Sequence, residues 1–139
     1  MLLGEIKAEA LKLMQVNQTQ DISYLDIDSL KQDSSVSAFI YAIPGAINRA
    51  FDRLYVLEAI QQEPISITVE TPETYDLSET GIPNILLRML PFFIVGEIFA
   101  SDEADIAANY RNQFEAGVEE YLKMQRLQQT EVEIVYGVD

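Results

Sequence analysis

The chain has 139 residues, 48% of them hydrophobic, and a formal net charge of −14 from 9 basic and 23 acidic side chains. It has no cysteine and no histidine. Those absences exclude disulfides, thiolate metal sites and a cysteine nucleophile within this sequence. They also remove the commonest general base near neutral pH and the commonest transition-metal ligand.

The acidity is spread out. Residues 1–60 carry 5 basic and 8 acidic groups, residues 61–100 carry 1 and 6, and residues 101–139 carry 3 and 9. Binding to DNA phosphates, or to an anionic membrane surface, needs clusters of Lys and Arg that this pattern lacks. Two readings stay open. The charge serves solubility, or it makes a surface that must not stick to nucleic acid or that meets a basic partner. The length fits one domain with its own apolar core.

Leu3–Met14 places Leu3, Ile6, Ala10 and Leu13 on one face, with Glu5, Lys7, Glu9 and Lys12 mostly outside it, which predicts a short amphipathic helix. Gly4 weakens its first turn. The acids inside this pattern, and the lack of a long apolar run, read as no signal peptide. Gln15–Gln20 is a polar connector. Asp21–Asp33 is irregular and anchored by Ile22, Leu25, Ile27 and Leu30. Asp26, Asp28 and Asp33 fail calcium-loop spacing and read as capping and turn residues.

Ser34 or Ser35 is placed to cap a long helix reaching about Ile60, with Val36, Ile40, Ile43, Ile47, Phe51, Leu54 and Leu57 in its core stripe. Pro44 predicts a kink or break near Ala42–Pro44. Arg49 and Arg53 either pair with Asp52 or nearby carboxylates, or meet an acidic partner. In the block 61–81, Ile65, Ile67 and Val69 alternate with polar residues, which predicts a strand. Tyr75 and Leu77 read as a second strand, closing a hairpin around Pro72–Thr74. The acids of this block are a solvated loop or a loop that faces something specific.

Ile82–Ala100 reads as an apolar helix with Pro83 near its first turn. Its longest apolar run, Ile85–Ala100, is too short and too interrupted by Arg88, Pro91 and Glu97 for a membrane span. A helix apolar all round must be covered on most sides, and a small chain is expected to cover only part of it, leaving an oligomer interface. Ser101–Arg126 is an amphipathic helix with Ile106, Tyr110, Phe114, Val118 and Tyr121 on one face and Ser101 as its cap. At about 1.5 Å per residue it is roughly 38 Å long. Glu131–Val138 alternates again and reads as a C-terminal strand. Its residues Val132, Ile134, Val135, Tyr136 and Val138 are candidate partner-binding positions. They either add to a partner's sheet or pair with 65–69 of the same chain.

The expected architecture is mainly α: a small bundle of about four helices, a short β-hairpin or strand insertion and a strand-like tail. Residues 1–126 form the single helical domain and 127–139 the extended tail. No phosphate loop, nucleophile elbow or metal motif is present, so neither enzyme activity nor a cofactor is expected.

Three stretches resemble the head–tail connector (adaptor or neck) proteins of tailed bacteriophages. They are the helix Leu3–Met14, the run Ile43-Pro44-Gly45-Ala46-Ile47-Asn48-Arg49-Ala50, and Leu90-Pro91-Phe92-Phe93-Ile94-Val95-Gly96-Glu97 followed by Asp102–Tyr110, Arg111-Asn112 and Phe114-Glu115. The resemblance covers most of the chain. It implies a virion protein at the head–tail interface, made in the host cytoplasm. Such proteins form a ring, usually of twelve subunits, beneath the portal protein. The ring extends the DNA channel and receives a stopper or tail-completion protein, and no membrane is involved. Acids lining such a channel would repel DNA and let it slide. Glu70, Glu73, Asp76 and Glu79 are the expected channel-facing residues. The alternative is an acidic DNA mimic, or a helical regulatory protein, that binds a nucleic-acid enzyme.

Overall fold

In the computed structural model, residues 1–14, 22–63 and 65–136 are described, with side chains up to Gln129. The described chain is mainly helical and contains no β-strand. Its helices are α1 (Leu3–Met14), α2 (Ile27–Leu30), α3 (Ser37–Val56), α4 (Asn84–Leu87), α5 (Leu90–Phe99) and α6 (Ala104–Tyr136).

The bundle is built around α5, which packs on α1, α3 and α6. Leu90, Phe93, Ile94 and Val95 are buried, and Phe92, Ile98 and Phe99 are partly buried against the same core. The chain's own helices thus cover α5, and none of its large apolar side chains is exposed. The α5 part of the expected apolar helix is thus shielded within the chain, while Ile85 in its α4 part stays 44% exposed. Against α6, the Phe93 and Phe114 rings meet edge to face with centroids 5.0 Å apart. Gly96 lets the two helices approach. A Cβ there would lie 2.9 Å from Arg111 Cγ and 3.3 Å from the Ala107 carbonyl oxygen.

The expected helix Ile82–Ala100 is two helices, α4 and α5, with Arg88 and Met89 between them. Pro91 lies in the first turn of α5, where its missing N–H has no partner to lose. Pro44, by contrast, lies inside α3, which continues through it without a break. α3 ends earlier than Ile60. Glu58 adopts the left-handed conformation (φ 60°), and the Ala59 N–H returns to the Leu54 carbonyl at 2.9 Å. That is a Schellman-type stop. At its start, Val36 occupies the cap position with no side-chain bond, while the Ser35 N–H and hydroxyl both donate to Asp33.

The expected hairpin does not form, and backbone groups of Ile67, Thr68, Tyr75 and Leu77 bond elsewhere. The Asn48 side chain accepts from the Ile67 N–H at 2.8 Å and donates to the Ile67 carbonyl at 2.7 Å. On the other edge, the Thr68 N–H goes to Thr71 Oγ1, and the Thr68 carbonyl accepts the Thr71 N–H. Successive groups of an extended chain point to opposite edges, so both edges of this segment are satisfied locally. Ile67 alone is buried, while Ile65 and Val69 stay about half exposed. The second segment pairs elsewhere. The Leu3 N–H donates to the Tyr75 carbonyl and the Leu77 N–H to the Met1 carbonyl, each at 2.8 Å, which makes a lone antiparallel bridge between Leu2 and Asp76.

The C-terminal strand is also overturned. α6 begins at Ala104, past Ser101, and its backbone stays helical through Tyr136, so 127–136 is not an extended tail. Its 33 residues make it about 50 Å long at 1.5 Å each. Alternation in Glu131–Tyr136 is a local β signal. Adding residues to an existing helix needs no new nucleus, so the helix extends through it. Within the stripe read for α6, Phe114 and Val118 are buried as expected, but Ile106 is 42% exposed and Ala107 takes the inward place.

Candidate functional site: an arginine cleft and an acidic loop

The acidic loop after α3 is pinned to the start of α1. Gly4 is the point of closest approach. A Cβ on it would lie 2.7 Å from Tyr24 Cβ and 2.9 Å from Glu73 Cβ. Its N–H donates to the Glu73 carbonyl at 2.9 Å. Glycine here serves that contact, whatever it costs the first turn of α1. Lys7, expected outside the apolar face, is 1% exposed and donates to Glu73 Oε1 at 2.8 Å. Lys31 reaches the same oxygen at 3.2 Å. Burial pushes the Glu73 carboxyl upward, but the bonds from Lys7 and Lys31 outweigh it and hold the group below its ordinary value. Asp76 accepts from the Ser78 hydroxyl and N–H and from the Met1 amino group. Its carboxyl is lowered to about 2, chiefly by Ser78.

The four expected channel-facing acids therefore divide. Glu70 and Glu79 are exposed, Glu73 is turned inward as the partner of Lys7, and Asp76 is occupied as a turn cap. Glu73 is thus not available as a lumen charge. Of the expected partner-binding positions, Val132, Ile134, Val135 and Tyr136 lie in the helical backbone of α6 rather than in a strand. Val138 lies outside the described residues.

A second cluster lies between α3, α5 and α6. Arg49 Nε donates to Glu97 Oε2 at 3.1 Å, and Arg111 Nη2 donates to Glu97 Oε1 at 3.2 Å. One turn along α3, Arg53 Nε donates to Glu115 Oε1 at 2.9 Å. Helical spacing explains the grouping. Arg49 and Arg53 are four apart on α3, and Arg111 and Glu115 are four apart on α6, so each pair shares a face. These groups, with Asp52, Val56, Phe93 and Phe114, line an open cleft of about 470 Å³. The two arginines of α3 do pair with nearby carboxylates, but Asp52 is not one of them. Sequence reasoning missed the bridging role of Glu97. The available signal is a single charge inside an otherwise apolar helix.

Some of the residues quoted for the connector resemblance, Arg49, Phe93, Glu97, Arg111, Phe114 and Glu115, line this cleft. Asn48 fixes the loop, Arg49, Glu97 and Arg111 form the bridge, and Gly96 and Phe114 make the α5–α6 contact. The cleft holds ion pairs beside the Phe93 and Phe114 rings. Among the described residues, no group of three His, Cys, Asp or Glu side chains is placed to hold a metal ion, and no helix is long and apolar enough to cross a membrane. Comparison with protein-family models, curated proteins and solved structures finds no match for this chain.

Proposed function

We propose that this protein is a structural subunit of a tailed bacteriophage virion. In this reading it is a head–tail connector that assembles as a ring beneath the portal and carries the DNA channel toward the tail. The observation that carries the reading is convergence. Two of the three stretches that resemble connectors pack against each other in one three-helix junction, where Arg49 and Glu97 meet across 48 residues of sequence. Scattered coincidences would have no reason to share a site. The acidic surface supports it too, because carboxylates repel phosphate and leave a passing duplex unbound. Glu70 and Glu79 are the loop residues exposed to play that part.

Ring stoichiometry, expected to be twelve, and the portal and stopper or tail-completion partners follow from the resemblance alone. The DNA-mimic alternative needs carboxylates spaced like phosphates along one face. Asp105, Glu115, Glu119 and Glu120 of α6 follow no such row. The test is to mix the purified protein with portal-bearing capsids and image the neck. Added ring density below the portal is the expected result. Unchanged necks at saturating protein would overturn the proposal.

A further inference from the structure

We draw no further inference here: the strongest candidate, the surface patch late in α6 where Met124 and Leu127 are exposed, carries nothing, because nothing in the structure shows what covers it.

Discussion

Two carboxylates in this molecule are each held between two cations, in opposite surroundings. Glu73 lies between Lys7 and Lys31 and is 14% exposed, with Lys7 itself 1% exposed. Glu97 lies between Arg49 and Arg111, both of which are about half exposed. The chemistry is nearly the same, but burial gives it different work. At Glu73 the charges cannot return to water when the partner is lost, so the cluster locks the loop onto α1. At Glu97 water and salt compete for the arginines, so the cluster holds little stability.

The largest expected effect comes from breaking the buried cluster. Glu73→Ala strands Lys7 without a counter-charge and should cost about 3–5 kcal/mol in urea unfolding. A loss below about 1 kcal/mol, the range of an exposed pair, would erase the contrast. Acid probes the same region. Both loop carboxyls are held below their ordinary values of 4.5 for Glu73 and 3.8 for Asp76. A lowered folded pKa means that the stabilisation is complete above the ordinary value and is lost as pH falls through the folded one. Stability should therefore hold from neutral pH down to about 4.5, then fall. Asp76→Asn should remove the part lost between 3.8 and about 2, as read from urea midpoints against pH.

The two close-approach glycines sharpen the comparison next. Gly4→Ala drives a Cβ into Tyr24 Cβ and Glu73 Cβ, and the Glu73 carbonyl oxygen is 3.2 Å away. With backbone close by, it should cost about 2–3 kcal/mol. Gly96→Ala meets Arg111 Cγ, one rotatable bond further from the backbone than the Cβ atoms at Gly4, with the Ala107 carbonyl oxygen at 3.3 Å, and gains helix propensity, so a smaller net loss of about 1–2 kcal/mol is expected. A larger thermal shift for Gly96→Ala than for Gly4→Ala would contradict that ordering. The smallest effect is the Arg53–Glu115 coupling, expected at about 0.2–1 kcal/mol in a double-mutant cycle and weaker in high salt.

Helix periodicity made most of the fold legible. The bounds of α1, the core stripe of α3 and the inward Phe114 and Val118 of α6 follow from apolar spacing, because a helix must bury one face whatever its neighbours are. The site was legible only in pieces. Arg49 and Arg53 were visible as rare cations on an acidic chain. Nothing in their spacing named Glu97, which is 48 residues from Arg49 along the chain and is brought near only by packing of α5 on α3.

The sequence by itself determined where helices form, which faces are apolar and how acidic the surface is, since each of these is a local or summed property of residues. Tertiary structure decided who pairs with whom. It gave the Ile67 backbone to the Asn48 side chain, the Tyr75 carbonyl to the Leu3 N–H and Lys7 to the interior. It also covered α5 from three sides. The physical reason is competition. A backbone donor or a buried charge takes the best partner the whole fold offers, and sequence spacing does not rank partners that lie far off along the chain.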